Sequence, residues 1–372
     1  MFDKCRMRNF GKLHIFWKIY LSTLCLLVIY NEYLIHIFHS LQWSQLECQT
    51  DRCLKILLVA DPQILGNTFD KKLYWPLANL DSDWHLSKTY RKALQHTTPD
   101  VICFLGDLMD EGSVASAVQY DEYYARFANI FPQPKASTLM IYIPGDNDIG
   151  GEGRDQITEE NVRRFRQYFD EQPTWELTTH KAKFFNVNRF TGFMPPTDDI
   201  SWDSESYSIM LSHMSLLKNA NSFSERAIDV FRPQIIFSAH DHVSKMAVVH
   251  KSDLFRASDH ILLNTDRNKR NEISSFNLVN LRYRQELLEI MVPTCSYRMG
   301  VMKIGYGYAV LDGDELKYTV LWTSQRFYQL AIYSLMIIPL KLLCGQIWCV
   351  IFKRYWCCCR SRNRNYLPLP IG

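Results

Sequence analysis

The chain has 372 residues, of which 47% are hydrophobic, enough for one large domain plus membrane segments. Its formal net charge is only +3, and the basic residues gather toward the two ends, which gives no ground for a nucleic-acid partner. No internal repeat or low-complexity tract divides it.

At the N-terminus, Lys4, Arg6, Arg8 and Lys12 precede an apolar stretch from Leu13 to Phe38. That length exceeds the ~20 residues needed to cross a bilayer. A cleaved signal has similar basic flanks but a shorter apolar region, and no small-residue cleavage pattern precedes Trp43, so an uncleaved anchor is expected. Cys48 and Cys53 follow, spaced to close a small disulfide loop in an oxidising compartment.

Three short apolar runs come next: Lys55–Ala60, Val101–Leu105 and Leu139–Ile143. Their uniform apolarity suits strands buried on both faces, and Cys103 inside the second reads as an inert core thiol. Helical spacing over Asp83–Thr97 and Tyr120–Ile130 separates them, giving β-α-β-α-β order and hence a parallel sheet with right-handed crossovers.

Each run ends in groups able to hold a metal: Asp61-Pro62-Gln63, Gly106-Asp107 with Asp110, and Gly145-Asp146-Asn147-Asp148. Two later strand candidates, Tyr207–Leu211 and Gln234–Phe237, end in Ser212-His213 and in Ala239-His240-Asp241-His242. A Gly-Asp after a strand is commonly only a turn, and a lone histidine is more often a bonded core residue. Conjunction changes this reading, because ligand-bearing groups at strand ends converge on one sheet edge. Mixed oxygen and imidazole donors favour transition ions over calcium. Asp83-Trp84-His85 also spells Asp-x-His, but it opens a helix and follows no strand.

The loop Phe190–Ser206 has no clear period and is a candidate for shaping a substrate mouth. Beyond His242, runs at Lys245–Val249, Ile261–Asn264, Ile273–Leu281, Leu287–Val292, Gly307–Leu311 and Leu316–Leu321 read as strands of a second sheet. A second apolar segment, Phe327–Phe352, is broken by Pro339 and Lys341 and followed by Lys353 and Arg354. With basic clusters at the outer end of both segments, both termini are expected in the cytosol. The resulting plan is a tail at 1–12, a transmembrane helix at 13–38, a luminal domain at 39–326, a transmembrane helix at 327–352 and a basic, Cys-rich tail at 353–372. Cys357, Cys358 and Cys359 in that tail suit reversible palmitoylation. The luminal span contains no Asn-x-Ser/Thr acceptor.

The ordered motifs resemble those of the calcineurin-like metallophosphoesterases. The runs Phe104–Ser113 and Pro144–Glu152, with Val292-Pro293-Thr294, resemble more narrowly the membrane-bound branch of cell division control protein 1 and metallophosphoesterase 1, the post-GPI-attachment factor. The likeness covers roughly residues 54 to 322. It implies an α/β two-sheet sandwich flanked by helices, here with one transmembrane helix at each end, and two divalent ions, manganese first with zinc or iron as alternatives. By position it implies that Asp107 bridges the ions, that Asp61 and His242 hold one with Gln63 where the family has His, and that Asp146, His213 and His240 hold the other. Asp110 and Asp148 would orient ligands, and Asn147 stands where the family has a His acting on the leaving group. An amide is no general acid, a loss typically of about a hundredfold or more. The resemblance further implies removal of phosphoethanolamine from the glycan of GPI anchors, a substrate held at a membrane, and support of export from the endoplasmic reticulum to the Golgi with its machinery. A metal-binding receptor without turnover is the rival reading.

Overall fold

A computed structural model of the chain describes residues 2–67, 75–153, 155–197, 206–218, 220–254, 263–264 and 272–338. These fall into two units, one of residues 1–31 and 326–372, the other of residues 32–325.

Helix α1 (Phe2–Ile29) passes through a π-helical turn (Tyr30–Leu34) into α2 (Ile35–Ser40). Within this run Trp17–Ser40 is long and apolar enough to cross a membrane. The second expected span is seen only as a shorter apolar helix, Arg326–Ile338, and residues 339–352, with Pro339 and Lys341, lie outside the described residues. So do the tail cysteines. Cys48 and Cys53 are joined as a disulfide, and Cys103 is buried and reduced.

The larger unit runs β1 (Leu54–Val59), α3 (Trp75–Thr97), β2 (Val101–Phe104), α4 (Ala117–Ile130), β3 (Leu139–Tyr142), α5 (Asp146–Ile149), α6 (Glu159–Phe169), β4 (Thr174–Leu177), β5 (Ala182–Asn186), β6 (Tyr207–Leu211) and α7 (Ser222–Phe231). It continues with β7 (Ile235–Ser238), β8 (Lys245–His250), β9 (Leu263–Asn264), β10 (Ser274–Asn277), α8 (Leu278–Tyr283), β11 (Glu286–Met291), β12 (Gly305–Asp312) and β13 (Glu315–Trp322). One sheet is ordered β10-β13-β12-β1-β2-β3 and the other β4-β5-β6-β7-β11-β8-β9.

The pairs β1–β2 and β2–β3 are parallel, as the alternating pattern requires. Inward residues of both sheets, such as Ile56, Leu58, Cys103, Phe184, Ile209 and Ile290, form one core between them. The opposite faces are covered as well: Leu57, Val59 and Phe104 pack under α3, α4 and α6, while Met210 and Ile236 pack under α7. Four layers therefore bury each central strand on both sides, which is why those strands lack polar alternation.

The C-terminal strands correct one expectation. They do not make the second sheet together: β12 pairs antiparallel with β1 and carries β13 and β10 into the first sheet, while β8, β9 and β11 join the second. The run Ile273–Leu281 also divides, because Asn277 caps a helix by accepting from the Asn280 amide and turns the chain from β10 into α8. Strands β4 and β5 and helices α6 and α7 had no counterpart among the expected elements.

Phe104 ties β2 to its helix layer through rings of Phe127 and Phe131 at 5.2 and 5.3 Å and a stacked Tyr142 at 5.0 Å. Phe104→Ala is expected to cost about 3–5 kcal/mol by leaving a cavity among rings that cannot collapse into it. A urea titration of the detergent-solubilised chain measures this.

Candidate metal centre

Every ligand-bearing segment lies just past the C-terminal end of a parallel strand: Asp61 after β1, Asp107 after β2, Asp146 after β3, His213 after β6, and His240 and His242 after β7. Sharp turns aim them inward. Asp61, Gln63, Asp107, His240 and His242 all have positive φ, between 43° and 67°, a conformation non-glycine residues adopt at a cost. Such strain concentrates where function demands a geometry that sequence propensity would not choose.

Glycine makes the close approach feasible. A Cβ on Gly106, at φ 94°, would lie 2.4 Å from His213 Nδ1, and one on Gly145 would lie 2.2 Å from Asp107 Oδ1. Gly106→Ala should therefore displace His213, lowering metal affinity at least about tenfold while the fold survives, as read by isothermal titration with manganese and by circular dichroism.

Asp61, Asp107, Asp146 and His213 are buried, and Asp110, Asn147, His240 and His242 partly so. Two groups of donor atoms are compact enough to hold an ion, Asp61-Asp107-His213 and Asp146-His213-His240, with every atom in each within 4.8 Å of the others. They have His213 in common, whereas the family likeness implies Asp107 as the shared residue. Its Nε2 lies 3.1 Å from Asp146 Oδ1 and 3.4 Å from Asp107 Oδ1. Its Nδ1 lies 2.7 Å from the Leu105 carbonyl; donation there fixes the tautomer and leaves Nε2 a lone pair for a metal. His240 Nδ1 is 3.2 Å from Asp146 Oδ1.

His242 belongs to neither group among the described residues, and its Nε2 is 3.5 Å from Gln63 Nε2. Gln63 donates to Asp107 Oδ2 at 3.0 Å. Asn147 donates twice to the same carboxylate, from its backbone N–H to Oδ1 (3.0 Å) and from Nδ2 to Oδ2 (3.2 Å). Asp148 accepts from the Leu108, Met109 and Gly145 amides at 2.9–3.1 Å and so clips the second ligand loop to the third. Asp110 donates its backbone N–H to the Ile64 carbonyl (3.1 Å), and burial, with the Glu111 and Asp107 charges, pushes its carboxyl up to about 6. The Asp83-x-His85 pair stays out of the site: Asp83 is bound by Arg126, and the buried His85 ring packs against His36 and Tyr297.

Two supports come from outside the ligand motifs: Thr294 belongs to a run that carries the family likeness, whereas Glu289 gave no sequence signal. Thr294 donates its hydroxyl to the Asp61 carbonyl (2.8 Å), fixing the first ligand loop. Glu289, fully buried in β11, accepts from Ser215 Oγ and from the Leu216 and Leu217 amides at 2.8–2.9 Å, holding the loop that carries His213. Outside the cluster, Asp241 is held by Lys218 and Lys245, so the turn keeps its two flanking histidines directed inward.

The electrostatics call for cations. Burial, against the pull of His213, pushes Asp61 up to about 8. Burial also raises Asp107, and burial with the Asp107 charge raises Asp148 to about 7. Burial works against a charge on His213, but Asp107, Asp146 and Asp61 outweigh it and push its pKa up to about 10. Asp146 is desolvated too, yet bonds from His213 and His240 hold it below the usual carboxylate range. Asp61 Oδ2 is buried with no hydrogen-bond partner. Crowded carboxylates, an orphaned oxygen and imidazoles directed at those carboxylates fit divalent metal ions, which would take the place of the imidazole protons.

The calcineurin-like phosphoesterase family matches residues 54–244, more than half of the chain, and the chain belongs to that family. Curated relatives agree over part of its length. The metallophosphoesterase 1 homolog of Caenorhabditis elegans is 30% identical over 169 residues, covering 44% of this chain and 43% of that protein. Metallophosphoesterase 1 of Danio rerio is 28% identical over 163 residues, covering 43% and 41%. Cell division control protein 1 of Saccharomyces cerevisiae is 28% identical over 171 residues, covering 43% and 34%. The chain thus spans less than half the length of the curated relatives it matches.

Proposed function

We propose that this protein is a metal-dependent phosphodiesterase of the secretory pathway that removes phosphoethanolamine from the glycan of GPI anchors and so supports export of GPI-anchored proteins from the endoplasmic reticulum. The observation that carries the hydrolase reading is the pair of ion-sized donor groups meeting around Asp107 and His213. Asp61, Asp107 and His213, with His242 and Gln63 beside them, would hold one ion, and Asp146, His213 and His240 the other. Two divalent ions there supply a nucleophile from water at neutral pH and offset charge on the phosphoryl oxygens.

The chain's own groups do the positioning. Asn147 and Gln63 direct three N–H bonds at Asp107 and set its carboxylate plane. Asn147 carries no transferable proton, so the leaving group takes its proton from water, and Asn147 acts by orientation alone. The substrate assignment rests on the motif resemblance and on the apolar helix Trp17–Ser40, since confinement at a membrane raises the effective concentration of a membrane-held glycan. In this reading the domain is luminal, both termini are cytosolic, and the resident ions are manganese.

The test combines metal analysis of the purified chain, hydrolysis of bis(p-nitrophenyl) phosphate with manganese, and comparison of GPI glycans in cells with and without the chain. Two ions, turnover and phosphoethanolamine retained in the deficient cells support the proposal. One ion or none without turnover favours a receptor, the reading suggested by amides at Gln63 and Asn147.

Metal binding should also depend on pH with a definite sign. A carboxyl whose folded pKa lies above its unfolded value binds more protons when folded, so stability falls as pH rises between the two. For Asp61 that window runs from 3.8 to about 8. His213, raised from 6.5 to about 10, contributes stability that is likewise lost as pH rises through its window. The metal-free protein should melt at falling temperature from about pH 5 to about pH 8, and manganese should raise the melting temperature more at the higher pH, where fewer protons need displacing. Differential scanning fluorimetry reads both trends.

A further inference from the structure

The N-terminal half of α3 is built inside out. Its polar side chains turn toward the protein: Asn79 donates to Asn67 (2.9 Å), Asp81 accepts from Tyr297 (2.7 Å), and Asp83 receives a two-pronged bond from Arg126 (2.7 and 2.9 Å). Trp75 and Leu86 are buried, but three large apolar side chains turn outward, with Leu77 70%, Leu80 67% and Trp84 51% exposed. Steps of three and four residues put these on one helix face, in a stripe about 10 Å long at ~1.5 Å per residue. A helix serving only its own core places apolar and polar side chains the other way round.

The stripe borders the segment where the apolar helix enters this unit. Trp84 Nε1 donates to Glu32 Oε2 (3.0 Å), the His85 and His36 rings lie 5.7 Å apart, and His96 Nε2 is 3.0 Å from the Ser44 carbonyl. The paired numbers rise together, so α3 runs in the same direction as residues 32–44. Leu77 and Leu80 therefore stand at the end of the unit where the chain arrives from Trp17–Ser40, the segment able to cross a membrane. Tyr33 and Phe38 on that segment, and Leu41 just after it, are exposed as well. Beyond Trp84 the same face of α3 continues as Lys88, whose ammonium lies over the Trp84 and Tyr33 rings at 4.1 and 4.6 Å and is paired with Glu32 at 3.2 Å, and then as the exposed Arg91.

We propose that the face formed by Leu77, Leu80 and Trp84, with Arg91 behind it, rests in the lipid–water interface of the membrane that holds the N-terminal helix. The occupant is a phospholipid surface, for two reasons. The chain enters this unit beside the stripe from a segment already suited to lipid, and the stripe passes from leucine through tryptophan to the exposed Arg91, the order in which apolar side chains give way to a cation at a membrane surface. Trp75, at the start of α3, donates its indole N–H to the Gly66 carbonyl (2.5 Å), three residues past Gln63. Seating α3 on the bilayer therefore brings the loop carrying Asp61 and Gln63 close to a membrane-held phosphodiester. The contact itself does not depend on the hydrolase reading.

The test places a photoreactive benzophenone side chain at Leu80 of the full chain in nanodiscs of phosphatidylcholine and phosphatidylglycerol. A control carries it at Glu225, exposed on α7 in the opposite outer layer. Only variants melting like the unsubstituted chain are irradiated. The expected result is a phospholipid mass adduct at position 80, at least about tenfold above position 225. An adduct of doubled protein mass at position 80 assigns the stripe to a second copy and overturns the proposal, as do no adduct, equal adducts at both positions, or failure of the chain to remain with the discs. Hydrolysis of a soluble phosphodiester is untouched by any of these outcomes, so failure here is distinguishable from failure of the proposed activity.

Discussion

Asp107→Asn is expected to reduce manganese-dependent hydrolysis of bis(p-nitrophenyl) phosphate by about a thousandfold or more and to leave the chain with at most one bound ion. The carboxylate belongs to one donor group and lies 3.4 Å from His213, the residue both groups share, and its oxygens already accept three N–H bonds from Asn147 and Gln63. An asparagine keeps one acceptor oxygen but turns an NH2 toward at least one of those donors and removes the charge that two cations would share. Charge stabilisation of this kind is worth on the order of 10²–10³ in rate per group elsewhere, and here metal occupancy falls with it. Stability separates the catalytic reading from a structural one. Burial raises the Asp107 pKa, so its charge is a burden on the metal-free fold, and the metal-free variant should melt no lower than the metal-free parent. Turnover within tenfold of the parent, with two ions bound, would remove Asp107 from the reaction.

The metal-bearing edge was legible because it is local. Strands β1, β2 and β3 are buried on both faces and so are written as unbroken apolar runs, and each ligand follows its strand within a few residues. What escaped was long-range or of mixed character. β1 pairs with β12 some 250 residues later, and nothing in Gly305–Asp312 states which sheet it joins. β4 alternates between exposed and half-buried positions at a sheet edge, too weak a pattern to separate from loop. The start of α3 was set too late, at Asp83, because Leu77 and Leu80 face outward and break the expected core period. That irregularity is itself the feature pointing to a lipid surface. His213 and His240 were visible as strand-terminal imidazoles, but the residues that orient them were not. In Glu286–Met291 the second glutamate reads as ordinary alternation until the tertiary fold places it beneath the His213 loop.

Glu289→Ala is the second substitution with a large expected effect, although its side chain touches neither donor group. Glu289 lies wholly buried in β11 and accepts from Ser215 Oγ, Leu216 N and Leu217 N. Burial raises its pKa, while the bonds from Leu217, Ser215 and Leu216 pull the other way. All three donors belong to the loop that follows His213, so the carboxylate braces that loop. Truncation leaves two amides and one hydroxyl facing an apolar void, at about 1–3 kcal/mol for each donor left unsatisfied, and a total loss of roughly 3–5 kcal/mol is expected after partial relaxation. The loop released is the one that aims His213 at Asp146 and Asp107, so manganese affinity should fall about 10- to 100-fold, the range seen when groups supporting metal ligands are removed. Glu289→Gln is the informative companion: it fills the space but must present an NH2 to one of several donors. If the fold alone matters, Gln restores both melting temperature and metal affinity. If the carboxylate positions the His213 loop, Gln recovers most of the melting temperature while titration with manganese still shows a weakened site, and saturating metal brings kcat back toward the parent value.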